Sequence, residues 1–199
     1  GKSIAFSGNK NDYATISSGL FPFRTHDDFT WEFWFKGNSQ GVATMLSAGT
    51  AAHIGFNDKH ELILSTDSST QVLDSLNRLD NQWHHLALSV KRGGNSNAYV
   101  NGKKTATFDS NIFPNSVSGV HYTLGAKKEK LPNTSNILTD SISGGYFKGN
   151  MDEVRVWSSA LNSSSIQLDK NRKLRGTEAG LQAYYPFERY KKEDQIMQV

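Results

Sequence analysis

The chain has 199 residues, 36% of them hydrophobic, with 22 Lys and Arg against 19 acids and a net charge of +3. That length suits one domain with a proper core, and the small, scattered positive excess excludes a nucleic-acid footprint. The absence of cysteine excludes a disulfide frame, a thiol nucleophile and a Cys-based zinc site.

Taken in order, Ile4 and Phe6 alternate with small residues, and Ser7 to Asp12 turn the chain. Tyr13 to Ser17 read as a second short strand. The turn between them is rich in oxygens, which suits either a plain Gly/Asn turn or an ion site. Phe29 to Lys36 is the clearest strand. Phe29, Trp31, Phe33 and Phe35 take one face, and Thr30, Glu32, Trp34 and Lys36 the other. Trp34 among polar neighbours is either a sugar platform or a side chain packed under a loop.

Strands are expected at 42–46, 54–56, 61–66 and, more weakly, 71–75. Asn81 to Val90 is another, with His84 and His85 on opposite faces, so the two cannot share one metal from there. Hydrogen-bonded structural roles are expected for both. Asn101-Gly102 between two strands predicts a hairpin with a type I′ turn.

Val120 to Gly125 is a strand, and the polar stretch 126–145 follows, with Lys127, Asn133 and Asn136 as candidate ligand contacts on a binding rim. Asn133 and Asn162 each begin an Asn-x-Ser sequon. From Gly149 to Trp157, strict alternation puts Asp152, Val154 and Val156 on one face and Glu153, Arg155 and Trp157 on the other. Glu32 is placed to meet Arg155 across strands. Asn162 or Ser163 can cap one short helix through about Lys173, and Leu181 to Glu188 is a last strand.

About a dozen short strands and one helix, with no alternation of strands and helices, predict an all-β, two-sheet antiparallel jelly-roll sandwich. One domain is expected over 1–190, followed by a polar tail or truncated linker at 191–199. No apolar run approaches the ~18 residues of a membrane span.

Several pieces recur in a fixed order: Ile4-Ala-Phe-Ser-Gly, Phe29-Thr-Trp-Glu-Phe-Trp-Phe-Lys, Gln82-Trp-His-His-Leu-Ala, Ala98-Tyr-Val-Asn-Gly-Lys, Phe147-Lys-Gly-Asn-Met-Asp-Glu-Val-Arg-Val-Trp and Gly180-Leu-Gln-Ala-Tyr-Tyr-Pro-Phe. Together they resemble the LamG-type modules of the concanavalin A-like lectin/glucanase superfamily, related in fold to pentraxins. The resemblance implies a non-catalytic module of secreted, periplasmic or surface proteins, often of Bacteroidetes, that binds carbohydrate or an extracellular protein. It also implies a possible structural calcium, held by Asp152 with Asn9, Asn11 and Asp12. The glucanase branch reads Glu-x-Asp-x-x-Glu on one strand, and no Glu-x-Asp occurs here. The alternatives are a domain of a glycan-degrading enzyme with catalysis elsewhere, or a structural or protein-interaction module.

Overall fold

The computed structural model describes residues 1–16, 23–24, 27–113, 116–117, 122–129, 141–188 and 196–197. The strands are β1 (Ile4–Ser7), β2 (Ala14–Ile16), β3 (Phe23–Arg24), β4 (Phe29–Gly37), β5 (Ala43–Ala48) and β6 (Ala52–Phe56). Next come β7 (Leu62–Thr66), β8 (Thr70–Asp74), β9 (His84–Val90), β10 (Asn95–Val100), β11 (Lys103–Asp109) and β12 (Ser116–Val117). They are followed by β13 (Tyr122–Leu124), β14 (Lys127–Glu129), β15 (Ser141–Gly144) and β16 (Lys148–Trp157). Helix α1 (Ser163–Asp169), β17 (Leu181–Tyr185) and β18 (Ile196–Met197) complete the order.

Among the described residues the strands make two large sheets and two short ribbons. The first sheet runs β1-β16-β4-β9-β10-β11, with β17 also on β16. The second runs β18-β2-β13-β5-β6-β7-β8. Every pairing in them is antiparallel except β18 on β2, which adds Ile196–Met197 of the segment expected as a tail to the edge of the second sheet.

The alternation in β4 is what stacks the sheets. Phe29, Trp31, Phe33 and Phe35 are all buried between them. Trp31 meets Tyr122 of β13 edge-on at 5.8 Å, and Phe35 meets Phe56 of β6 at 5.8 Å. Burying such a side chain contributes about 1.5–3 kcal/mol, so this one strand is a large part of the core. The Asn101-Gly102 hairpin is present, with φ of 54° and 78°, the positive pair a type I′ turn requires.

The other face of the first sheet is not left to water. Thr30 Oγ1 donates to Ser159 O, Ser89 Oγ donates to Leu161 O, and Trp34 Nε1 donates to Lys170 O. The segment from Ser158 through α1 to Lys173 therefore lies across that face as a strap. Asn162 caps α1 by accepting from Ser165 N, as expected. The helix is shorter than its sequence pattern predicts, ending at Asp169 instead of near Lys173. Its last carbonyl groups are captured from the sheet below, as described next.

Two other expectations change. Part of the 126–145 stretch forms a two-stranded ribbon, β14 with β15. The facing of Asp152 is also reversed. Asp152 pairs with Trp34 but Arg155 pairs with Glu32, so β16 carries one extra residue at this point. Glu153 takes a φ of 52° there. This β-bulge breaks the period of two, turning Asp152 away from the core face of Val154 and Val156 and onto the outer face with Trp34 and Arg155.

Candidate functional site

The bulge falls at a junction. Along one edge of β16, β1 covers Lys148 to Met151 and β17 covers Val154 to Trp157. Asp152 and Glu153 sit in the gap between them. Antiparallel pairing carries Gly1 and Glu188 toward the same gap from opposite directions. A Cβ built on Gly1 would lie 3.1 Å from Glu188 Oε1 and 3.9 Å from Asp152 Oδ2.

A cleft of about 390 Å³ opens over this junction. Trp34, Trp83, Asp152, Glu153, Glu188 and residues 170–173 line it, and Lys173 Nζ lies 3.6 Å from Glu188 Oε1. Trp83 stands immediately before β9 and is 41% exposed, so its indole face is available to a ligand. Trp34 is half-buried and fixed twice: its Nε1 donates to Lys170 O at 2.8 Å, and its ring tilts against His85 at 5.4 Å. Aromatic walls with a few convergent polar groups are the usual make-up of a small-ligand site.

Beneath the cleft lies a buried ionic network. Arg155 is 1% exposed. Its Nη1 donates to Asp169 O at 2.8 Å and to Glu32 Oε1 at 3.3 Å. Its Nη2 donates to Glu153 Oε2 at 2.6 Å and to Arg172 O at 2.7 Å. The Glu32–Arg155 pairing expected from the sequence is therefore present, and the guanidinium is the cation that the C-terminal carbonyls of α1 attract. Glu32 Oε1 also accepts from Trp157 Nε1 at 2.9 Å. His85 Nε2 lies 3.3 Å from Glu32 Oε2. Burial alone would push the Glu32 carboxyl up, but His85, Arg155 and Trp157 together hold it below its ordinary value. Tyr184 completes the network by donating to Glu153, and burial together with that carboxylate pushes its hydroxyl up to about 12. His84 has the structural role expected of it, between Asp80 Oδ1 and Asn101 Nδ2.

Asp152 has a different environment. Its Oδ1 accepts from the neighbouring Glu153 N at 2.8 Å. Burial, followed by repulsion from Glu153 and Glu188, pushes its carboxyl up from 3.8 to about 6.

The structure divides the residues singled out in the sequence. Asn9, Asn11 and Asp12 lie in the turn after β1, where Asp12 Oδ2 accepts from Ser7 N at 2.6 Å. That turn is at the Lys148 end of β16, four residues or roughly 13 Å from Asp152 at strand rise. Among the described residues no group of three or more His, Cys, Asp or Glu is gathered to hold a metal. Glu153 is committed to Arg155 and Tyr184, and Glu188 Oε1 lies 3.6 Å from Lys173 Nζ, which makes Asp152 the carboxylate best placed for a calcium ion. The rest of its six to eight oxygens would come from backbone and water.

Trp34 and Lys127 are not brought together. Trp34 is on the outer face of the first sheet, whereas the β14 strand of Lys127 lies on the outer face of the second, where Lys128 N donates to Ser47 Oγ of β5. Asn133 and Asn136 lie outside the described residues. Sequence reasoning did not single out Trp83 as a site residue. Its signal was a large aromatic directly after the polar Asn81-Gln82 turn and before the buried part of a strand.

A two-sheet jelly roll with an aromatic-lined cleft on one outer face defines a lectin-like β-sandwich. The chain belongs to the concanavalin A-like lectin/glucanases superfamily, its Laminin_G_3 family model matching residues 7–167. No curated protein sequence matches it. Among solved structures it is similar to a candidate carbohydrate-binding protein from Bacteroides ovatus ATCC 8483, with a TM-score of 0.70 and 20% identity, covering 97% of this chain and 54% of that one. It is also similar to domain 4 of AbnA, a GH43 extracellular arabinanase from Geobacillus stearothermophilus, in complex with arabinotriose. There the TM-score is 0.59 and identity 19%, covering 84% of this chain and 75% of that one. A third is the heptameric SAP-like pentraxin from Limulus polyphemus, with a TM-score of 0.58 and 17% identity, covering 83% and 79%. The chain thus spans about half the length of the first of these structures. At these identities the likeness is one of fold.

Proposed function

We propose that this chain is a non-catalytic carbohydrate-binding module of a secreted or cell-surface protein, and that the Trp34–Trp83 cleft is its glycan site. The observation that carries the reading is the pairing of an exposed and a half-buried indole with the carboxylates at the β16 bulge, in one cleft of about 390 Å³. A sugar ring offers an apolar C–H face to an indole and a rim of hydroxyls to carboxylates and amines, and this cleft presents both kinds of surface. Two of the similar structures support the same reading, one described as a candidate carbohydrate binder and one bound to arabinotriose.

The test is a panel of oligosaccharides that includes arabinotriose, measured by calorimetry against the wild-type chain and Trp83→Ala. Trp83 is exposed, so its removal leaves the melting temperature within a few degrees of wild type. Binding of at least one saccharide, weakened tenfold or more in the variant, is the expected result. Equal affinity of the two proteins sinks the site assignment.

A structural calcium is a separate proposal, anchored on Asp152. Without calcium, the raised carboxyl makes a signed prediction. A carboxyl whose folded value lies above its unfolded one favours the folded state when protonated, so this contribution is lost as pH rises from about 4 to about 6. In calcium-free buffer Asp152→Asn should therefore be more stable than wild type at pH 7–8, by about 1 kcal/mol once solvent screening is allowed for, and no more stable near pH 4. Added calcium should then raise the melting temperature of wild type and not of the variant. A wild-type melting temperature indifferent to calcium ends the metal proposal.

A further inference from the structure

The cleft wall formed by Lys170 to Lys173 is hung from the sheet by its backbone. Three successive anchors hold it: Asp169 O and Arg172 O accept from Arg155, and Lys170 O accepts from Trp34 Nε1. Arg155 itself is held below by Glu32 and at the side by Glu153. No side chain of Lys170, Asn171 or Lys173 contributes to these anchors. Side-chain ties also run along the wall, from Arg172 to Asp169 and Glu178 and from Lys173 to Glu188 at 3.6 Å, but the carbonyl anchors are what tie it to the sheet beneath.

We propose that Arg155 is a positioning residue for the ligand cleft, setting the place of the Lys170–Lys173 wall by holding its carbonyl groups from beneath. The inference rests on the carbohydrate reading for its consequence, because it assigns that wall to the glycan groove. It takes a guanidinium to do this. Two nitrogens of one planar fork each reach a wall carbonyl and a carboxylate at once, which a lysine ammonium on a single nitrogen cannot reproduce.

The experiment is Arg155→Lys, which retains the charge opposite Glu32 and loses the fork. Hydrogen exchange is read at the Lys170 and Arg172 amides, which donate to Ile166 O and Asp169 O, and at Leu86 and Val156 in the strands. The same oligosaccharide panel, arabinotriose included, is measured beside Trp83→Ala. The expected result is exchange at least tenfold faster at Lys170 and Arg172, unchanged exchange in the strands, and an affinity lower by about tenfold. Unchanged exchange at the two wall amides overturns the proposal. Faster exchange with wild-type affinity, on a panel where Trp83→Ala loses binding, also overturns it and leaves the cleft assignment standing. If wild type binds no saccharide, the carbohydrate reading fails, and the exchange arm alone decides the tether. If Arg155→Lys does not fold, Trp34→Phe removes the middle anchor alone. Faster exchange at Lys170 in that variant then supports the hung wall, and unchanged exchange overturns it.

Discussion

Replacing Glu32 by Ala should cost about 3–5 kcal/mol of folding stability, read as a lowered denaturant midpoint. The carboxylate is buried among Arg155, His85 and Trp157, and each of these loses a partner when it is removed. The size of the effect does not mean that the ion pair is a large net stabiliser. Taking both charges out of water offsets most of their attraction, and the cost arises because Arg155, though still paired with Glu153, and the Trp157 N–H are each left short of a partner in a dry place. Glu32→Gln should cost less, about 1–3 kcal/mol, because an amide oxygen can still accept from Trp157. The pH dependence carries a definite sign. Since the folded carboxyl titrates below its ordinary value of 4.5, its contribution is intact above that value and fades as pH falls through the folded one. The difference between wild type and Glu32→Gln should narrow on acidification. A difference that grows toward acid would contradict the assigned network.

Gly55→Ala should be nearly as damaging, at about 3 kcal/mol, toward the upper end of what overpacking costs. Gly55 is in the middle of β6, between β5 and β7. A Cβ there would stand 2.0 Å from Ala43 O and 2.8 Å from Thr44 Cα. Both are backbone atoms of the neighbouring strand, so no side-chain rotation can relieve the clash. The register between β5 and β6 shifts next to this contact, between Thr44 and Leu46, which is the local crowding that a glycine in a strand interior signals. A circular dichroism melt that matches wild type would show that the two strands can part without loss.

Much of the architecture was legible because it depends on residues close in sequence. The alternation of Phe29 to Lys36 specifies a strand with one aromatic face, and a sandwich needs that face. Asn101-Gly102 specifies its own turn. Glu32 and Arg155 could be paired because both stood at outward positions of strong strands. What was missed is non-local. The extra residue at Glu153 follows no glycine or other local sign, so counting by twos put Asp152 on the core face. Helix α1 ends at Asp169, whose carbonyl accepts both from Arg172 N and from a guanidinium 14 residues earlier in the chain, and no capping signal in the helix itself records that. The cleft exists because β1 and β17 share one edge of β16 and leave a gap. That geometry becomes visible only once the strands are paired, so Trp34 was recognised as a candidate while Trp83, just before the adjacent strand β9, was not.

In the proposed function, glycan binds over the β16 bulge, on the outer face of the first sheet. The most direct test is a nuclear magnetic resonance titration of the wild-type chain with the tightest saccharide of the panel, following the indole N–H signals of all four tryptophans and the backbone amides. Saturable shifts are expected at the Trp34 and Trp83 indoles and at the amides of Asp152 and residues 170–173, with the buried Trp31 and Trp157 indoles little moved. Shifts gathered instead on the outer face of the second sheet, around His53, Ser65 and Thr70, with Trp34 and Trp83 silent, would contradict that placement.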